Sequence, residues 1–249
     1  MKRGFLAGST VALLVLLLFL SQAAFAAIYM KEERHVEAAG NIVPAQDETV
    51  EKWITDDRMV VSSDQQKTII DLAKGTVTHV DHARQAVLTM PLDFSEMAAS
   101  LDEEMSQEER AGFEAFMGKM MQMDVQVEET PETKRIGNWD CRKYNQVIEM
   151  GMGTNRSEIW ATTDIEVDQD LYAKFTSAML AQIPGAGQNM NKIIDASKKI
   201  KGVHVLTVAT NEMMGQTITS TTRLIDFKKG RAPDSAFAIP ADYREESMR

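Results

Sequence analysis

At 249 residues, with a formal net charge of −10 and a single cysteine, the chain excludes several roles at once. An acidic chain offers no electrostatic footprint to nucleic acid and gains nothing from anionic lipid surfaces. One cysteine cannot close an internal disulfide, so the fold has to rest on a packed core.

In chain order, Lys2 and Arg3 precede an unbroken apolar run, Val11 to Leu20, and Ala24-Phe25-Ala26 supplies a small-x-small site. This pattern predicts a secretory signal peptide over residues 1–26, cleaved after Ala26, and a periplasmic address. The run is short for a bilayer span of about 20 residues, which argues against a retained anchor. No cysteine lies near the site to take a lipid. Loss of Lys2 and Arg3 moves the net charge from −10 to −12. Residues 27–249 read as a single domain.

Ile28 to Val36 reads as a polar, edge or amphipathic strand, and Asn41 to Glu48, with Pro44, as a loop. Val50 to Ser62 is a hairpin with Asp56-Asp57 at its turn. Lys67 to Leu72, Thr76 to Asp81 and Ala86 to Met90 follow as short strands with polar reversals, the pattern of an antiparallel meander. After Pro91 the period changes. Ser106 and Glu109 have capping-box spacing, and Phe113, Phe116, Met117, Met120 and Met121 recur on one helical face, which predicts a helical insertion over about 94–123.

Strand character returns at Val125 to Glu129 and leads through Pro131 to a central hairpin. Its arms are Cys141 to Met150 and Ser157 to Ile165, with Gly151, Gly153 and Asn155 at the reversal. Cys141, between Trp139 and Tyr144, is expected to be a packed thiol. Leu171 to Gln182 and Met190 to Ile200 are predicted helices, so helical character runs over about 171–200, broken at Pro184-Gly185. Val203 to Thr210 and the threonine- and isoleucine-rich Thr217 to Phe227 make a last hairpin.

Three stretches carry a resemblance to a known group of proteins. The first is Trp53 to Met90, with Arg58 followed by a strand and a turn at Asp71. The second is Ile136-Gly137-x-Trp139-x-Cys141-x-x-Tyr144 with Glu158-Ile159-Trp160-Ala161-Thr162. The third is Phe237-x-Ile239-Pro240-x-x-Tyr243. On these the chain resembles an uncharacterised exported bacterial family related to the LolA/LolB lipoprotein carriers. The resemblance implies an α+β fold, a strongly curved antiparallel sheet or unclosed barrel with helices covering its concave face. It also implies that the concavity holds acyl chains.

Chemical motifs are sparse. The four histidines, His35, His79, His82 and His204, form no HExxH, and no Cys/His ligand pair or G-x-S-x-G is present. Gly151-Met152-Gly153 lacks the third glycine of a phosphate loop and reads as a hairpin turn. Asp102-Glu103-Glu104 reads as a solvated helix face. No catalytic residue, cofactor or metal is therefore expected, and the chain reads as non-enzymatic.

Methionine is the compositional anomaly, at 17 residues. Thioethers fill irregular cores, accommodate varied apolar ligands and bind Cu(I), so three readings of the cluster stand side by side. The expected ligand lining is Phe113, Phe116, Met117, Met120 and Met121, with Trp53 and Trp160 as walls. The partner would be an apolar ligand, whether a lipid, an acyl chain or a lipidated protein segment, with at most transient membrane contact. The competing classes are an envelope structural or sensing module and a methionine-rich Cu(I) binder.

Overall fold

The structure is a computed structural model that describes residues 27–40, 44–92, 123–151, 153–168, 170–171, 175, 190–213 and 215–247. Five strands of the first half are β2 (Gln46–Ile54), β3 (Arg58–Ser62), β4 (Gln66–Asp71), β5 (Thr76–Asp81) and β6 (Ala86–Pro91). Five of the second half are β7 (Met123–Ile136), β8 (Trp139–Met150), β9 (Gly153–Thr162), β10 (Val203–Met213) and β11 (Gln216–Gly230). With β1 (Ala27–Val36) and β12 (Arg244–Glu246) they make one open sheet in the order β12-β6-β5-β4-β3-β2-β1-β11-β10-β9-β8-β7. Each half is an up-and-down meander. The two halves are joined through β1, which pairs antiparallel with β2 on one side and β11 on the other.

The turns of the first meander follow from repeated local chemistry. Asp71 and Asp81 each accept the backbone N–H three residues on, from Lys74 at 2.9 Å and Arg84 at 2.8 Å. The next residue takes positive φ in both turns, 64° at Gly75 and 49° at Gln85. Thr55 does similar work at the β2–β3 turn, where its hydroxyl accepts the Arg58 N–H at 2.9 Å.

Because residues directly opposite in an antiparallel pair share a face, the register sorts the side chains. One face carries Met30, Ile54, Met59, Ile70 and Val77, all buried. Ile165 and Phe175, from the segment after β9, pack onto the same cluster. The other face carries Tyr29, Trp53, Val60 and Ile69.

That second face is crossed by the residues after β11. The Arg58 guanidinium lies 4.6 Å from the Phe237 ring centroid, Lys67 donates to the Ala238 carbonyl at 3.1 Å, and His82 Nδ1 meets the Tyr243 hydroxyl at 2.9 Å. This strap includes a 3-10 turn at Asp234–Phe237 and ends in β12, which runs parallel to β6.

The α+β expectation, with helices over the concave face, is overturned. Among the described residues, twelve strands are accompanied by that 3-10 turn, by one short helix, α1 (Met190–Ser197), which contacts β7 at the end of the sheet order, and by helical backbone at Asp170, Leu171 and Phe175. The strands are longer than the sequence pattern implied. β7 runs for 14 residues where strand character is expected over Val125 to Glu129, and β11 for 15 where it is expected over Thr217 to Phe227. Pro131 is accommodated because the β7–β8 pairing slips between Glu129 and Thr133, a bulge on an edge strand where a missing N–H breaks no ladder. The predicted insertion at 94–123 lies outside the described residues except for Met123, which opens β7. β1, read as a polar edge or amphipathic strand, is central, with β2 on one side and β11 on the other. Among the described residues no helix is long and apolar enough to cross a membrane.

Candidate functional site

The face that carries Met30 and Ile54 also holds a groove of about 420 Å³, built from β1, β2, β3, β4, β10 and β11. That volume falls within the usual range of small-molecule sites. Met30, Ile54, Met59, Phe175, Val203 and Leu224 are apolar lining residues, and Val50 and Val61 extend that apolar surface beside the charged groups. Met30, Ile54 and Phe175 are almost fully buried.

Charge enters halfway along. The Lys52 ammonium lies 2.7 Å from both carboxylate oxygens of Glu32, and their side chains are only 23% and 13% exposed. The pair forms because Met30 is the register partner of Lys52 and Val50 that of Glu32, which sets the two charges diagonally across β1 and β2. Further along, Arg34 and Glu48 stand directly opposite each other, followed by the hydroxyls of Ser62, Ser63 and Ser220.

His204, from β10, opens onto the same cavity. Enclosure by the protein pushes its pKa down to about 4, and the Lys52 charge acts in the same direction while Glu32 opposes it. The residue as a whole is solvent-exposed, and that exposure screens the shift. At neutral pH the ring is neutral and offers one donor and one acceptor.

The expected lining residues fall in different places. Phe113, Phe116, Met117, Met120 and Met121 lie outside the described residues. Trp53 packs against Tyr29 in a tilted arrangement, ring centroids 4.8 Å apart, on the face opposite the groove. Trp160 is flanked by the ammonium groups of Lys134 and Lys143, at 5.4 and 5.9 Å from its centroid, and does not line the groove. The structure thus brings neither tryptophan to the cavity.

Sequence reasoning missed Glu32, Lys52 and His204. One signal was present. Ile54, Lys52 and Val50 alternate with Trp53, Glu51 and Thr49, so a β2 strand with Ile54 inward turns Trp53 outward and Lys52 inward. Cys141 is a buried free thiol, 3% exposed, whose pKa burial raises to about 11, helped by Asp164 and Asp140. At neutral pH the thiol form therefore dominates over the nucleophilic thiolate. Among the described residues no three His, Cys, Asp or Glu side chains gather to hold a metal ion.

The solved structures similar to the chain include two of PNGF-II, in the C2 and P21 space groups, at 12% and 15% identity with TM-scores of 0.38 and 0.39. Each match covers 90% of this chain, and the chain spans only 31% and 32% of those proteins. No curated protein matches the sequence. A family described as Domain of unknown function (DUF4412) matches residues 53–243, from the β2 tryptophan to the strap tyrosine, and the chain belongs to that family.

Proposed function

We propose that the protein is a non-enzymatic binding module of the bacterial cell envelope that holds a small apolar or amphipathic molecule in the groove of its open sheet. The observation that carries this reading is the groove itself, a cavity of about 420 Å³ floored by Met30, Ile54, Met59 and Leu224 on a sheet that does not close. Apolar surface of this kind is stabilised by covering it, at roughly 25 cal/mol per Å² removed from water. The leader pattern at residues 1–26 supports a periplasmic address, and the motif resemblance to the lipoprotein carriers LolA and LolB supports an acyl ligand. The volume suits one chain better than a two-chain lipid.

The test is displacement of a fluorescent fatty-acyl probe from protein purified out of the periplasm, with mass spectrometry of the organic extract. Met59→Trp, which fills the groove, should weaken probe binding about tenfold or more, equivalent to about 1.4 kcal/mol. Trp53→Phe, on the other face, should leave it unchanged. Probe binding that is indifferent to Met59→Trp sinks the assignment to this groove.

A further inference from the structure

We infer that the groove takes its ligand by an anionic head group, a carboxylate or a phosphate, set against Lys52 and Arg34, with the alkyl chain laid toward Met30, Ile54 and Met59. This rests on the function proposed above and adds the chemistry of the polar end.

The first support is direction. Along β1 and β2 the groove-facing positions pass from Met30 and Ile54, both 1% exposed, to the half-buried Glu32 and Lys52, and then to Arg34 and Glu48. Val50 and Val61 also line the groove, beside Glu32 and Lys52 in the register, so the apolar floor at Ile54 and Met59 grades into the charged end with apolar side chains beside the ion pair, a gradient that suits a single-chain amphiphile. A chain lying the other way would put methylenes over the ion pair and bury its head among methionine and isoleucine, where an unpaired charge is heavily penalised.

The second support is a count of donors and acceptors. Both Glu32 oxygens already accept from the Lys52 ammonium. An ammonium has three N–H bonds, so the pair leaves a donor unused, and the carboxylate is the more deeply buried member. Among the described residues the Arg34 side chain has neither an ion pair nor a hydrogen bond, and the His204 ring has no hydrogen bond. The Thr207, Ser220 and Thr222 hydroxyls add donors that can turn toward a ligand. The centre of the groove is thus rich in N–H and O–H groups, and the complementary head group is one that only accepts. Carboxylate and phosphate do so with charge assistance. The Glu48 carboxylate opposes Arg34 at the groove's outer end, so an ammonium head group is the competing outcome.

The experiment competes four twelve-carbon ligands against the fluorescent acyl probe on the full-length exported protein: dodecanoate, dodecyl phosphate, dodecanol and dodecylamine. Dodecanoate, dodecyl phosphate or both should bind about tenfold or more tightly than dodecanol. The tighter of the two distinguishes a fatty acid from a phosphate-bearing lipid. Removing Lys52 alone would leave Glu32 unpaired, so the variant is the double Glu32→Gln/Lys52→Met, with Arg34→Gln at the more open position as a second. In these variants the anion preference should shrink toward unity while dodecanol affinity holds within about threefold. Dodecanol or dodecylamine binding as tightly as the anions, or an anion preference that survives both variants, overturns the inference and leaves the groove a chain-binding site. Failure of the probe and all four ligands to bind wild-type protein overturns the proposed function as well.

Discussion

At Gly202 the backbone takes φ of +92°, and a Cβ built there would lie 1.9 Å from the Thr162 carbonyl oxygen. Both the conformation and the space admit only glycine. The neighbour cannot yield, because Thr162 is 1% exposed and its hydroxyl donates to the Asp140 carbonyl at 2.8 Å. Gly202→Ala should therefore cost about 3 kcal/mol or more, read as a fall in the midpoint of urea unfolding. A loss below about 1 kcal/mol would show that the β9–β10 approach yields to a methyl group. His204, two residues on, gives the fold an acid sensitivity. Its folded pKa is about 4, below the ordinary value near 6.5, so the unfolded chain binds the proton more readily. The contribution is complete above about pH 6.5 and is lost as the pH falls toward 4. Unfolding midpoints measured between pH 7 and pH 4 should fall more steeply for wild type than for His204→Gln. Parallel curves would count against an enclosed neutral ring.

Among the elements, the β4–β5 and β5–β6 turns offer a clean test because the sequence repeats itself. Asp71-Leu72-Ala73-Lys74-Gly75 and Asp81-His82-Ala83-Arg84-Gln85 use the same aspartate bond and the same left-handed fifth residue, but the second turn places glutamine there at φ 49°. Gln85→Gly should remove left-handed strain, offset in part by unfolded-chain entropy, for a net gain of about 0.5–1 kcal/mol. Thermal unfolding of the variant checks it, and a lowered Tm would contradict the account. These turns, with their Asp and Gly punctuation, were legible in the sequence because their chemistry is local. The Glu32–Lys52 pair was not. Each residue alone reads as a solvated charge on a strand, and only the β1–β2 register sets them diagonally on the inner face. The strap was half legible. Phe237, Ile239, Pro240 and Tyr243 stood out as a motif, yet their contacts with Arg58 and His82 join positions more than 150 residues apart. Tyr243→Phe deletes the bond to His82 and should cost about 0.5–1.5 kcal/mol. An unchanged unfolding midpoint would mean that water replaces that hydroxyl's partner.

At the scale of the molecule, β1 is the seam between two meanders, with Met30 placed between Lys52 of one and Phe227 of the other. Met30→Ala should cost about 2–5 kcal/mol and weaken both halves together. Trp53 reports on the first meander, and Trp139 and Trp160 on the second, so single-tryptophan variants can follow each half separately. Coincident denaturation curves are expected, and two separated transitions would show that the halves stand independently. The charge pattern also belongs to this scale. Edge strand β7 carries Asp124, Glu128, Glu129 and Glu132 in addition to its proline, which discourages pairing with another chain's edge.

The central position of β1 imposes an order on the chain's appearance in the cell. Val36 leaves the ribosome long before Gln216, and at about 5–20 residues per second the interval is roughly 10–40 s. In whichever compartment the chain folds, β1 can pair with β2 before β11 has arrived, and until then the inner strand of that half-sheet offers unpaired backbone to any passing strand. The last hairpin to be made is therefore the one that turns this exposed edge into an interior, and the cell meets the protein first as an unfinished ribbon and only afterwards as a groove.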